Sequence, residues 1–307
     1  MIFAAFPGCE ILDLAGPLQA FDEANGLGGS YAVETRAATE SVATAQGVRL
    51  AGLRPLGTAT AEDLVLVPGF RIEARRGPQR ALGPLVRWLR DAALAEARIG
   101  SICTGAFVLG WAGLLDGRQC TTHWKRVREL QAEFPRARVV EDRLFVEDGV
   151  LTSAGIASGI DLALALIEED HGPVVTARVA REMVVYLRRP GGDRQTSVYL
   201  DFRTHLDSGV HAVQDHLVAH PEGQESLAEL ARIGRASART LSRNFRAATG
   251  ISVHAYRTRV RLERARGLLA DPGLTMEAIA GRCGFADARQ LRRLWKSAFG
   301  VAARRSR

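Results

Sequence analysis

The sequence predicts two domains of different class: an α/β domain with a mostly parallel sheet covered by helices, then an all-α domain with two helix-turn-helix units. Three observations predict this. Up to about residue 187, short apolar runs alternate with amphipathic stretches, as in buried strands joined by crossover helices. Beyond the breaker cluster Arg188-Arg189-Pro190-Gly191-Gly192-Asp193, every periodic stretch has helical spacing. The last hundred residues also contain a repeat. Leu230-Ala231 recurs 49 positions later as Ile279-Ala280, while Leu241, Phe245 and Gly250 recur 50 positions later as Leu291, Trp295 and Gly300. The one-residue slip falls between Ala231…Ser237 and Ala280…Asp287, where a turn absorbs it. The expected boundaries are an α/β domain over 1–187, a linker over 188–207 and a helical domain over 208–307.

The elements follow in order. Ile2–Phe6 reads as a strand, Gly16–Ala24 as a helix and Tyr31–Ala37 as a strand. Asp63-Leu64-Val65-Leu66-Val67 is a buried strand ending in the Pro68-Gly69 turn. Leu82–Ala97 is a helix, with Leu82, Leu85, Val86 and Leu89 at i, i+3, i+4 and i+7. Arg98–Ile102 is a strand, Gly105–Leu115 a helix, Val150–Ser153 a strand and Ser158–Glu169 a helix. A helical stretch over Pro173–Leu187 closes the domain. In the second domain, Ser226 with Glu229 three residues on is a capping box, and Thr275 with Ala278 is a weaker N-terminal signal. Ser252–Leu269 is a long helix that joins the two repeats.

Charge is divided as the domains are. From Leu206 to Arg307 there are 18 Lys+Arg against 9 Asp+Glu, a net of +9, whereas the preceding 205 residues carry −2. This asymmetry marks a polyanion-binding segment. A merely solvated arginine-rich surface explains it less well, because the charges fall on the second helix of each repeat. No apolar run approaches the ~18–20 residues that span a bilayer, and Met1–Phe6 has no basic n-region. Neither a membrane anchor nor a signal peptide is expected. Cys9, Cys103, Cys120 and Cys283 are scattered without C-x-x-C spacing. No metal site, disulfide framework or cofactor is therefore expected, and the reading is a reducing, cytoplasmic environment.

One place in the first domain carries chemistry. Ile99-Gly100-Ser101-Ile102-Cys103-Thr104-Gly105 reads as strand, sharp turn and helix start. The positive end of the helix is expected to lower the Cys103 thiol pKa. The N–H groups of Thr104 and of Gly69 or Phe70 are expected to form an anion-holding site. Asp13 and Ser153, also past strand ends, face the same edge, where open parallel sheets bind ligands. His123, beside Trp124, either lines this pocket or caps a helix. The other three cysteines read as small buried apolar residues.

Residues 226–300 resemble the AraC/XylS DNA-binding domain. The matching strings are Leu230-Ala231…Ser237-Ala238-Arg239-Thr240-Leu241-Ser242-Arg243-Asn244-Phe245-Arg246…Gly250 and Arg261-Leu262-Glu263-Arg264-Ala265-Arg266-Gly267-Leu268-Leu269. They continue as Ile279-Ala280…Cys283-Gly284-Phe285…Leu291-Arg292-Arg293-Leu294-Trp295-Lys296…Phe299-Gly300. The resemblance implies two recognition helices, Ser237–Ala248 and Asp287–Phe299, in successive major-groove segments of double-stranded DNA. It places Arg239, Ser242 and Arg243 on the first groove and Ala288, Arg289, Arg292 and Arg293 on the second. Arg246 and Lys296 would meet phosphates or stay solvated. The chain departs from the family pattern where Val301-Ala302-Ala303-Arg304-Arg305-Ser306-Arg307 replaces a Pro-x-x-Tyr-Arg segment, so a frayed last helix is expected. It departs again where Ile251-Ser252-Val253-His254 lacks a proline.

Residues 2–187 resemble the ThiJ/PfpI family of the class I glutamine amidotransferase-like superfamily. The strings are Leu12-Asp13-Leu14-Ala15-Gly16-Pro17, Val67-Pro68-Gly69, Ser101-Ile102-Cys103-Thr104-Gly105-Ala106-Phe107-Val108-Leu109, Ala112-Gly113-Leu114-Leu115-Asp116-Gly117, Thr121-Thr122-His123-Trp124 and Thr152-Ser153-Ala154-Gly155. The resemblance implies a flavodoxin-like sandwich and a ligand site at Asp13, Gly69, Phe70, Cys103, Thr104, His123, Ser153 and Gly155. Taken with the helical end, the whole chain resembles the GlxA-type subgroup of AraC regulators. This implies a sensor domain for a small nitrogen-containing or carboxylate metabolite, a homodimer, and RNA polymerase as a partner of an activator. Peptidase-like members carry a histidine directly after the cysteine, where this chain has Thr104. Isonitrile-hydratase members use an aspartate, the cysteine and the following threonine, which Asp13, Cys103 and Thr104 match. Three readings follow: a ligand-gated regulator without turnover, which is favoured, a cysteine-dependent hydratase, and a thiol redox sensor.

Overall fold

The structure is a computed structural model and describes residues 1–72, 79–185, 189–195, 197–269, 271, 273–299 and 302–303. It divides into two units, Met1–Gln195 and Thr196–Arg307.

The first unit runs β1 (Ile2–Ala4), α1 (Ile11–Gly26), β2 (Glu34–Ala37), β3 (Ser41–Ala43), β4 (Arg49–Ala51), β5 (Arg54–Pro55), β6 (Leu64–Val67), α2 (Gln79–Leu94), β7 (Arg98–Ile102) and α3 (Gly105–Trp111). It continues with β8 (Gln119–Cys120), α4 (Val127–Glu133), β9 (Arg138–Val139), β10 (Phe145–Glu147), β11 (Leu151–Ser153) and α5 (Ala157–Glu182). Seven strands form one sheet in the order β10-β11-β7-β6-β1-β2-β5. Every pairing in it is parallel except β10 with β11. Alternation along each strand feeds two cores. Ile2, Ala4, Val65, Val67 and Ile99 pack with α2 and α3 on one face. Phe3, Leu64, Leu66 and Leu151 pack with α1 and α5 on the other. Both faces are dry, so Leu64–Val67 reads as an unbroken apolar run. Each of these buried Val, Leu, Ile and Phe side chains contributes on the order of 1.5–3 kcal/mol.

The largest local difference from expectation lies in α1, which begins at Ile11 rather than Gly16 and carries Pro17 inside it. Asp13 is thereby placed in the first helical turn, not in a loop. Tyr31 lies outside β2 and instead packs its ring edge-on to Phe21 and donates its hydroxyl to Asp170. The expected helices Ser158–Glu169 and Pro173–Leu187 are two parts of α5, broken where Gly172 takes φ 76, and the second stops short at Glu182; Leu187 lies outside the described residues. The β3–β4 hairpin, the β8–β9 pair, β10 and α4 have no counterpart in the sequence reading.

The segment expected as a linker is shared between the units. The Arg189 amide and guanidinium both bond to buried Asp161, and the Gln195 side chain donates to the Thr122 and Arg143 carbonyls. The described residues of 189–195 therefore belong to the sheet unit, and Arg188 lies outside the described residues. Beyond them, α6 (Val198–Asp201) buries Val198 in the helical unit.

The helical unit continues with α7 (Ser208–Ala219), α8 (Leu227–Ile233), α9 (Ala238–Thr249), α10 (Val253–Leu269), α11 (Met276–Arg282) and α12 (Ala288–Phe299). It has two cores. Leu230, Ala231, Leu241 and Phe245 build the first, and their counterparts Ile279, Ala280, Leu291 and Trp295 build the second. Helix α10 serves both, giving Val253, Tyr256 and Val260 to the first and Leu262, Ala265 and Leu269 to the second. The capping box of Ser226 and Glu229 forms in full, and Thr275 accepts from the Ala278 amide. Where the family proline is missing, the Ser252 hydroxyl caps α10 through the Ala255 amide. The repeat slip is a turn-length difference. Residues 234–237 separate α8 from α9, and 283–287 separate α11 from α12. At the end of α12, Phe299 packs on Trp295, and Ala303 adds to the second core. Residues 300–301 and 304–307, with the Gly300 repeat position and most of the divergent tail, lie outside the described residues.

Candidate functional site

Four adjacent parallel strands end at one edge and bring the expected residues together there. Asp13 follows β1, Gly69 and Phe70 follow β6, Cys103 and Thr104 follow β7, and Gly155 follows β11. Cys103 takes φ 58, the sharp turn that the sequence suggested. Space around it is tight enough to demand glycine. A Cβ on Gly155, itself at φ 102, would lie 2.2 Å from the Cys103 Cβ. A Cβ on Gly69 would lie 2.5 Å from Asp13 Oδ2.

The hydrogen bonding differs from the expected anion-holding site. Fully buried Asp13 accepts from the Gly69 amide at 3.0 Å and from the Ile156 amide at 2.6 Å. The Thr104 hydroxyl accepts from the Phe70 amide at 2.7 Å and donates to the Phe70 carbonyl at 2.6 Å. The Gly69 and Phe70 donors are thus engaged by the protein's own side chains. Ser153 Oγ lies 3.3 Å from both Ser158 Oγ and the Gly155 amide, and its carbonyl accepts from the Cys103 amide.

The thiol is also corrected. Burial and the neighbouring Asp13 carboxylate push Cys103 up to about 12, and these outweigh the lowering by Thr104. Burial likewise raises Asp13 to about 6, against the lowering by the Ile156 and Gly69 amides. At neutral pH the edge therefore presents a neutral thiol beside a carboxyl group close to its titration point. His123 takes the capping role of its two readings. Its Nδ1 accepts from the Lys125 amide at 3.3 Å, its ring stacks on Trp124, and burial lowers its pKa. The remaining cysteines are buried, as read.

Two contributors escaped sequence reasoning. Ile156, at φ 52, supplies a backbone donor to Asp13, and the Thr122 hydroxyl donates to the Cys103 carbonyl at 2.8 Å. A backbone N–H leaves no side-chain signature. Thr122 sits within the string Thr121-Thr122-His123-Trp124, which is the only signal that pointed near it.

In the helical unit, α9 exposes Arg239, Ser242, Arg243 and Arg246 on the side away from buried Leu241 and Phe245. Helix α12 exposes Arg289, Arg292, Arg293 and Lys296 away from Leu291 and Trp295. None of these seven cations has an acidic or hydrogen-bonding partner among the described residues. Elsewhere in the unit Arg203 pairs with Asp215, and Arg257 with Glu225. Ala288 does not join the exposed set. It is buried, and its amide donates to Glu277 at 3.2 Å, so its methyl group packs inward rather than toward a base. Among the described residues no group of His, Cys, Asp and Glu is arranged to hold a metal ion, and no helix is long and apolar enough to cross a membrane.

Comparison with known proteins agrees with this division. The DJ-1/PfpI family model matches residues 1–169, and the helix-turn-helix domain model matches residues 230–307. The HTH-type transcriptional regulator CdhR of Pseudomonas aeruginosa is 31% identical over 80% of this chain and 71% of its own length. The HTH-type transcriptional regulator GlxA of Rhizobium meliloti is 30% identical over 71% of this chain and 68% of its own. The isonitrile hydratase of Pseudomonas putida is 31% identical over 62% and 80%. Among solved structures, an AraC family transcriptional regulator from Pseudomonas putida shares the fold, with a TM-score of 0.51 and 22% identity over 59% of this chain and 97% of that one. The chain belongs to the DJ-1/PfpI family, and its AraC-type helix-turn-helix end makes it a member of the GlxA-type branch of HTH-type regulators.

Proposed function

We propose that the protein is a ligand-responsive transcription regulator whose two helix-turn-helix units read successive major-groove segments of one promoter site. The observation that carries this reading is the row of unpartnered cations on α9 and α12. Seven exposed positive charges without an acidic partner among the described residues gain little for folding and gain much from releasing counterions on DNA. The chain proposed to contact DNA is the segment with the positive net charge, and each unit presents one reading helix, as two-groove recognition requires.

The edge at Asp13 and Cys103 serves as the metabolite sensor. The Gly69, Phe70 and Ile156 amides are already held by Asp13 and Thr104. A carboxylate ligand would meet occupied donors and the Asp13 charge behind the neutral thiol, so of the two metabolite classes expected the edge suits a nitrogen-containing ligand better. Ligand binding shifts the population of an arrangement that binds DNA or meets RNA polymerase as a homodimer. Turnover is not part of the reading, because a thiol pushed up to about 12, without a histidine partner, is a poor nucleophile at pH 7.

The test is a titration of a mixed-sequence duplex at several salt concentrations. The proposal expects log Kd to depend steeply on log salt, and a variant with Arg239, Arg243, Arg292 and Arg293 all replaced by Ala to lose most of that slope while melting unchanged. Salt-independent binding in the wild type would remove the reading.

A further inference from the structure

We propose that the loop joining α7 to α8 is a brace that fixes the distance and angle between the two reading helices, and so selects the half-site spacing the protein accepts on DNA. This rests on the DNA-reading proposal above. The two cores of the helical unit share α10 and are otherwise built from separate residues. A single helix of 17 residues, about 25 Å long, leaves each unit free to rock about its end unless something holds it from the side.

Two arginines one turn apart on α10 do this. The Arg257 guanidinium donates to the Glu225 main-chain carbonyl at 2.8 Å and to the Glu225 carboxylate at 3.4 Å, and the carboxylate also pairs with His216 Nε2 at 2.9 Å. Arg261 donates through Nε to the Pro221 carbonyl at 2.8 Å and through Nη2 to the Gly223 carbonyl at 2.6 Å. Held at both ends, the loop points Gln224 at the second unit, where Nε2 donates to the Gly284 carbonyl at 3.0 Å. Among the described residues this is the hydrogen bond that joins the two units outside α10. It lands on the turn immediately before α12. Gly284 has φ 75, and a Cβ there would lie 2.8 Å from both Glu222 Cα and Arg261 Nη2. The Glu222 backbone therefore packs directly against Gly284, with the Arg261 guanidinium beside it.

A brace of this kind has a specific consequence on DNA. A site longer by one base pair moves the second groove segment by about 3.4 Å and turns it by roughly 35° around the axis. A rigid pair of helices rejects that site, and an unbraced pair follows it. Arg261 and Gln224 are positioning residues in this account and touch no base.

The experiment selects from a library in which two fixed-length random half-sites are separated by a variable number of base pairs. It compares the full-length wild type with Arg261→Ala and with Gln224→Ala, whose side chain is exposed and whose loss spares the fold. The wild type is expected to recover one spacing and to disfavour its neighbours by about tenfold or more. Each variant is expected to recover the same half-site sequences while accepting adjacent spacings to within about threefold of the best. Arg261→Lys, which keeps the charge and loses the fork, should fall between. Unchanged spacing preference in Gln224→Ala, or in a folded Arg261→Ala, overturns the brace. Loss of half-site sequence preference in step with spacing overturns it too, because that marks general destabilisation. A wild type that recovers no bipartite site overturns the DNA-reading proposal instead.

Discussion

Replacing Arg243 by Ala separates the two ways in which α9 can meet DNA. The side chain is exposed, has no partner among the described residues and lies opposite the buried Leu241 and Phe245, so its removal should cost the fold no more than about 0.5 kcal/mol. Any larger loss in binding then belongs to DNA. An arginine that reads a base edge is worth about 1–3 kcal/mol, or roughly 5- to 150-fold in Kd. The assay is fluorescence anisotropy on the preferred duplex and on duplexes substituted at each base of the first half-site, at about 50 and 200 mM salt. Base reading predicts a loss confined to the preferred duplex, with discrimination abolished at one position. Phosphate contact predicts an equal loss on every duplex and a salt slope shallower by about 0.9. Arg293→Ala on α12 should lose a comparable amount, since α12 repeats the geometry. Unchanged affinity in either variant, with an unchanged melting temperature, refutes the assignment of that helix to a groove.

Three further outcomes test the sensor edge. With its thiol pushed up to about 12, Cys103 should be alkylated by iodoacetamide at pH 8 at least about a hundredfold more slowly than free cysteine; rapid modification, read by mass spectrometry of its peptide, would restore the nucleophile and redox readings. Folding raises the Asp13 carboxyl from 3.8 to about 6, so the folded chain holds this proton more tightly than the unfolded one. The stabilisation is full below about pH 4 and lost as pH rises through 6. Urea unfolding of the wild type should weaken by about 3 kcal/mol relative to Asp13→Asn between pH 3 and pH 8, and parallel stability curves would contradict it. Gly155→Ala should cost about 3 kcal/mol or more, from an unfavourable φ of 102 and a Cβ 2.2 Å from that of Cys103; a variant as stable as the wild type in denaturant would sink that geometry.

What was legible in the sequence is what a repeated physical constraint had written there. Leu230, Leu241 and Phe245 recur as Ile279, Leu291 and Trp295 because two cores need the same knobs, and the Ser226 cap is visible because its hydroxyl and Glu229 act at fixed spacing. The sheet edge was legible because Asp13, Gly69, Cys103 and Gly155 each follow a strand. Short elements were not, because two- and three-residue strands such as Gln119–Cys120 and Ser41–Ala43 carry no period. The state of the Cys103 thiol was misread because the helix end it precedes is obvious in sequence, whereas the burial that outweighs it belongs to the packed fold. Ala288 was misplaced for a related reason. The first residue of α12 is where side chains meet bases in such helices, yet here its small methyl group completes the core.

Two helices are proposed to read two groove segments of one site. The direct measurement is selection of DNA by the full-length protein from a random library, sequenced after binding at two salt concentrations. A bipartite motif whose halves lie one helical turn, ~34 Å, apart is expected, enriched at both concentrations. Recovery of a single half-site would contradict it at the second unit, and salt-sensitive binding without any sequence enrichment would contradict it outright.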